Sequence, residues 1–175
     1  MTKGLLYIVA TPIGNLSDIT ERAINTLKSV DLIACEDTRT SGKLLNYFNI
    51  ATPTIAYHEH NADTQTVKII ERMAAGDSVA LISDAGTPLV SDPGFRLVKA
   101  AHENDIRVVP IVGACAMVAA LSAAGLASDK FSFIGFLPAK THGRIKALQD
   151  WQDRSETLIF YEAPHRVIDS LTDMV

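Results

Sequence analysis

The chain has 175 residues, 47% hydrophobic and 21% charged, enough apolar material for one domain or two small ones with proper cores. A formal net charge of -4 argues against a broad nucleic-acid-binding surface, which carries a basic excess, but leaves room for a local basic patch. No run approaches a membrane span, and the six apolar residues before Thr11-Pro12 are too few for a signal peptide, so a cytoplasmic protein is expected.

Residues 5–10 form a short apolar run closed by Thr11-Pro12, which predicts a buried strand. Ser17 and Asp18 offer caps for the helix that follows, and Asp18 with Glu21 has capping-box spacing. Residues 31–36 read as a second strand and 43–48 as part of a second helix. Residues 54–57 are strand-like and end in His58-Glu59-His60-Asn61. Residues 64–75 have helical spacing, with Val67, Ile70, Met73 and Ala74 on one side and Gly76 as the stop. Strand 78–83, helix 95–103 and strand 106–112 come next. Residues 114–124 are small and apolar nearly all round, which predicts a buried helix. Strands alternating with helices imply a parallel sheet covered on both faces.

The pattern restarts after Gly125: strand 131–136, helix 144–151, strand 156–161 and a helix from His165. The expected division is therefore an N-terminal α/β domain over residues 1–126 and the beginning of a second, incomplete α/β domain over 127–175. Two strands and two helices close no core alone, so a fragment of a longer protein is expected.

In a parallel sheet the strand ends at Ala10-Thr11-Pro12, Glu36-Asp37-Thr38-Arg39, Ser83-Asp84 and Val112-Gly113-Ala114-Cys115 open on one edge, where ligands bind. Neither GxGxxG after the first strand nor GxxxxGK[ST] occurs, so both common phosphate cradles are missing. Acidic groups without such a cradle suit a cationic or hydroxyl-bearing ligand. Duller roles compete: Asp84-Ala85-Gly86 as a turn, Asp92-Pro93-Gly94 as a turn and cap of the next helix, and Asp37 or Thr38 as a cap. His58 and His60 share a face if the segment is extended, but two His make a weak metal site, and none is expected. Cys35 and Cys115 lack CxxC or His-rich surroundings and read as small buried residues. Glu162, His165 and Arg166 cluster at a strand-to-helix turn, and Lys140, His142, Arg144 and Lys146 form the one locally basic stretch.

Several pieces together resemble the tetrapyrrole methylase superfamily. They are residues 9–16 (VATPIGNL), 35–41 (CEDTRTS), 58–61 (HEHN), 82–88 (ISDAGTP), 121–125 (LSAAG), 135–138 (GFLP) and 161–166 (YEAPHR). Within the superfamily they are most similar to the group that methylates a cytidine 2′-hydroxyl in 16S ribosomal RNA of the small subunit. The resemblance implies two α/β domains, S-adenosyl-L-methionine as cofactor, a homodimer, and no DNA or membrane partner. It further implies that Asp84 and Thr87 line the cofactor site, with backbone contacts from Ser83, Ala85 and Gly86. Ala10 and Pro12 flank it, Ala114 and Cys115 occupy the turn after a later strand, and Phe160 and Tyr161 come from the second domain. Two departures stand out: Val112-Gly113-Ala114 replaces the family's Pro-Gly-Pro, and the family's second domain continues past residue 175, which leaves activity of this chain alone in question.

For such a transfer, base candidates by type and place are Asp37, Glu36, His58 and Glu162, unranked. Arg39, Lys140, Arg144, His165 and Arg166 are expected to contact RNA. The rival expectations are a precorrin-type small-molecule methyltransferase and a non-catalytic cofactor-binding dimer.

Overall fold

The computed structural model describes residues 3–175. The chain divides into two compact units, one ending at Cys115 and the other running from Ala116 to Val175.

The first unit contains β1 (Leu6–Val9), α1 (Glu21–Ser29), β2 (Leu32–Cys35), α2 (Thr38–Tyr47), β3 (Thr54–Ala56), α3 (Ala62–Ala74), β4 (Val79–Ile82), α4 (Phe95–Glu103) and β5 (Val108–Ile111). Its five strands lie in the order β3-β2-β4-β1-β5, and every pairing is parallel. Leu6 pairs with both Val79 and Val108, and Leu32 pairs with Val79, so β1, β2, β4 and β5 start level with one another. Strands of equal length that start level also end level. Their carboxyl ends therefore open on one rim.

Both central strands, β2 and β4, are buried at every position because helices cover each face. Alternation sorts the side chains. Val79 and Leu81 pack with Ile69 and Met73 of α3 and with Leu97 and Ala101 of α4. Ala80 and Ile82 face the other way, onto Ala23 and Leu27 of α1 and Leu45 of α2. Pro110 has no N–H to give a ladder, and it stands in β5, an edge strand.

Two local expectations are corrected. The cap of α1 is Thr20, whose hydroxyl accepts the Ala23 N–H at 3.1 Å; the Asp18 segment is a separate short turn capped by Asn15. On α3 the buried side chains are Ala62, Ile69 and Met73, while Val67 is exposed. The buried row runs through Ala62, Ile69 and Met73, spaced seven and four residues apart, and Val67 points well away from it.

The second unit contains α5 (Ala116–Ala123), β6 (Phe131–Phe136), α6 (Thr141–Gln149), β7 (Thr157–Tyr161) and α7 (Val167–Met174). The strands β6 and β7 pair in parallel across the α6 crossover, with an irregularity between Phe133 and Gly135. The expected burial of α5 is not observed: none of its residues is buried. It is apolar around its whole circumference, and β7 packs against one side, where the Met117 N–H donates to Tyr161 Oη at 3.1 Å. That packing puts α5 with the second unit, although its sequence follows directly on β5.

Among the described residues no helix is long and apolar enough to cross a membrane.

Candidate functional site

The rim of the first unit is held by interlocking loops. After β1, Thr11 forms an antiparallel bridge with Gly86: the Thr11 N–H donates to Gly86 O at 2.8 Å and the Gly86 N–H to Thr11 O at 3.0 Å. The Thr11 hydroxyl donates to Ser83 O at 3.3 Å, and the Thr87 hydroxyl to Ala114 O at 3.0 Å. Gly113 passes so close to β1 that a Cβ there would lie 2.9 Å from Ala10 Cβ. Ala10, Ser83, Gly86, Thr87 and Ala114 thus share one frame built by the ends of β1, β4 and β5. Ala85 is exposed on it and Cys115 half-buried at its end.

Carboxylates crowd this rim. Asp84 Oδ1 accepts the Asp37 N–H at 3.3 Å, while the Glu36 carboxylate accepts the Asp84 N–H, so the ends of β2 and β4 are tied reciprocally. Burial, and then the charges of Asp84 and Asp92, push Glu36 above the usual carboxylate range. Asp84 is raised by desolvation, opposed by the Asp37 N–H. Asp92 is raised by burial, opposed by the Ser83 hydroxyl. The expected capping role of Asp92 is not observed: Gly94 precedes α4 at φ +140°, where a Cβ would stand 2.7 Å from Leu81 Cδ2.

Asp37 is different. It caps α2 by accepting the Arg39 N–H at 2.8 Å, and the Arg39 guanidinium forks onto it with Nε 3.1 Å and Nη2 2.7 Å from its oxygens. These bonds hold its carboxyl well below the usual range, so it is a weak proton acceptor. His58 sits just past β3, its N–H donating to Asn61 Oδ1 at 2.9 Å, and its Nδ1 is buried with no hydrogen-bond partner among the described residues. The His58 and His60 rings stand 6.0 Å apart. No cluster of metal-ligating residues occurs among the described residues.

A cleft of about 420 Å³ opens on this rim, within the size range of small-molecule sites. Thr11, Pro12, Leu16 and Asp84 line it together with Lys43 and Tyr47 of α2. Sequence reading missed Lys43 and Tyr47 as site residues. Their signal was available, since Arg39, Lys43 and Tyr47 recur every four residues on α2. The lining offers one carboxylate, Asp84, to a cationic group of a ligand, and one ammonium, Lys43, to an anionic group.

In the second unit the expected RNA contacts separate sharply. Arg144 is corrected: its side chain is 2% exposed, and its Nε donates to Asp173 Oδ2 at 2.6 Å, with further bonds to Ala139 O and Thr141 Oγ1. Those bonds satisfy the guanidinium inside α6 and α7, out of reach of a phosphate. Arg166 is likewise committed, donating from Nη2 to Leu137 O at 2.8 Å and to Pro138 O at 3.2 Å, with Nε 3.2 Å from Glu162. Lys140 and His165 are exposed. Glu162 accepts from Ser170 Oγ at 2.5 Å and from the Ala163 N–H, and these bonds lower its carboxyl, a poor setting for a base. Phe160 and Tyr161 are half-buried, and the Tyr161 ring lies edge-on to Phe133 and Phe136.

Residues 5–174 match the family described as Tetrapyrrole (Corrin/Porphyrin) Methylases. A Pseudomonas aeruginosa protein named Ribosomal RNA small subunit methyltransferase I is 58% identical over 174 residues, covering 99% of this chain and 62% of its own length. The Haemophilus influenzae protein of the same name is 56% identical over 171 residues, covering 98% and 60%. The chain thus spans about three fifths of the length of these curated relatives. A crystal structure of uroporphyrin-III-C-methyltransferase from Thermus thermophilus superposes with a TM-score of 0.64 at 19% identity, over 99% of this chain and 75% of that one, a likeness of fold. Taken with the interlocked strand-end loops, the match over residues 5–174 makes the chain a member of the tetrapyrrole methylase family.

Proposed function

We propose that this protein takes part in methylating the 2′-hydroxyl of a cytidine in 16S ribosomal RNA of the small subunit, with S-adenosyl-L-methionine as donor. The observation that carries the reading is the frame uniting Thr11, Gly86, Thr87 and Ala114 beside the Asp84 carboxylate, in a chain 58% identical to a named ribosomal RNA methyltransferase. When bound, the donor supplies an electrophilic methyl group on a sulfonium. Asp84 offers that cation a partner charge, and the backbone around Ala85 and Gly86 lines its place. Cys115, at the end of the same frame, is a further donor contact under this reading. Fixing the reactants in line is the largest service such a site gives.

Of the four base candidates, Glu36 is the best suited. Asp37 and Glu162 are held low by their partners, whereas Glu36 is raised toward the working pH, where a general base is most effective. Its role is to take up the proton that the ribose hydroxyl gives up. The His58 imidazole, with Nδ1 unpaired, is the second candidate. Arg39, Lys140 and His165 are the exposed groups left to meet RNA phosphates. A homodimer is part of the same proposal.

Calorimetry with S-adenosylmethionine, beside a labelled-methyl assay on unmodified small subunits, tests it. Asp84→Ala is expected to lose donor binding while staying folded. Glu36→Gln is expected to keep donor binding and lose about 10²–10⁴-fold in transfer rate. Unchanged donor uptake by Asp84→Ala sinks the reading.

A further inference from the structure

The α2 side of the cleft carries an exposed aromatic ring and cationic side chains. Tyr47 is a large aromatic residue left 63% exposed, and its ring meets Phe48 in a T-shaped contact at 4.8 Å that steadies it while most of its surface stays open. Lys43, one turn earlier on α2, lines the same cleft and has no ion-pair partner among the described residues. Leu16, 40% exposed, supplies apolar surface to the cleft with Pro12 and Gly14. Arg39 continues the row and is 88% exposed even with Asp37 in its fork.

The cleft is therefore bipolar. Asp84 is tied to the start of α2 through the Asp37 N–H, and Lys43 and Tyr47 follow along that helix, so the lining carries an anionic group and, further along α2, a cationic one beside an open ring. From Thr40 to Tyr47 the helix rises about 10 Å, enough to separate two ligand groups. The methyl donor also carries a flat adenine and one carboxylate, but two exposed cations one helical turn apart, Arg39 and Lys43, exceed what one carboxylate needs and match the repeating phosphates of a nucleic-acid strand. Single-stranded RNA is held by just this pairing of aromatic stacking with cationic contacts to its backbone.

We infer that Tyr47 stacks an unpaired base of the RNA substrate and that Lys43 holds its phosphate, making this face of α2 the substrate-positioning wall of the cleft. The inference rests on the proposed RNA substrate and adds the residues that receive it.

The test is fluorescence anisotropy with a labelled, unstructured hexaribonucleotide and the whole chain, beside calorimetry with S-adenosylmethionine. Tyr47→Ala is expected to weaken RNA binding about 5- to 100-fold, while Tyr47→Phe and Tyr47→Trp stay within about twofold of the parent because stacking needs only the ring. Lys43→Ala is expected to reduce the slope of log affinity against log salt by about 0.7, the share of one phosphate on a single strand. Donor affinity is expected to be the same in all four variants, which also certifies their fold. RNA binding indifferent to Tyr47→Ala overturns the inference alone, as does a Tyr47→Phe chain as weak as Tyr47→Ala. Donor affinity falling in parallel with RNA affinity assigns Tyr47 to the donor and overturns it too. An unsubstituted chain that binds donor but no RNA overturns both this inference and the RNA reading.

Discussion

At the scale of single residues, Glu36, Asp84 and Asp92 show how placement changes a carboxylate. All three titrate above their ordinary values because burial and mutual repulsion penalise the charged forms. A carboxyl with a raised folded-state pKa binds its proton more tightly when folded. Its contribution to stability is full below the unfolded pKa and is lost as pH rises through the folded one. Asp92→Asn is therefore expected to raise the melting temperature at pH 7 to 8, with the gain shrinking toward pH 4. A gain that grows on acidification contradicts this. Asp37, held by three hydrogen bonds from Arg39, has the opposite sign. Cys35 is buried without a charged partner, and desolvation pushes its thiol up, so it packs as a small unreactive residue. Its quiet role was legible from its neighbours in sequence. The fate of Arg144 was not, because a cation on a predicted helix reads as solvated until its partner 29 positions away is known.

At the scale of elements, periodicity located every strand and helix of both units to within a few residues. It misjudged burial where apolar residues abound on more than one side, as on α3 and α5. The cap of α1 is Thr20 because its hydroxyl reaches the third helical N–H, and Asp18 is spent in the preceding turn. The pairing of α6 with α7 depends on Arg144 and Asp173, whose side chains are 2% and 12% exposed. Asp173→Ala leaves a buried guanidinium without its counter-charge and is expected to cost about 3 kcal/mol. Urea denaturation followed at Trp151, which lies in the same unit, reads that loss as an earlier transition; an unchanged midpoint removes the pair from the stabilising contacts. The two-residue bridge between Thr11 and Gly86 had no signal in periodicity, since neither residue lies in a regular strand.

At the scale of the whole molecule, the second unit leaves Phe136, Ile168 and Leu171 open, at 54%, 76% and 55% exposure. Exposed apolar side chains of this size accord with the proposed homodimer. Sedimentation equilibrium is expected to give twice the chain mass at micromolar concentration, and a strictly monomeric species removes the dimer from the proposal. By itself the sequence determined the alternation of strands and helices, the parallel sheet, and the loops at strand ends, because those follow from local hydrophobic spacing and turn chemistry. Tertiary structure alone decided which charges face a ligand and which are consumed internally. Arg144, Arg166 and Glu162 look as available in sequence as Arg39 and Glu36. Only folding brings Asp173, Leu137 and Ser170 within hydrogen-bond reach of the first three, and burial of a charge is stable only where such partners meet it.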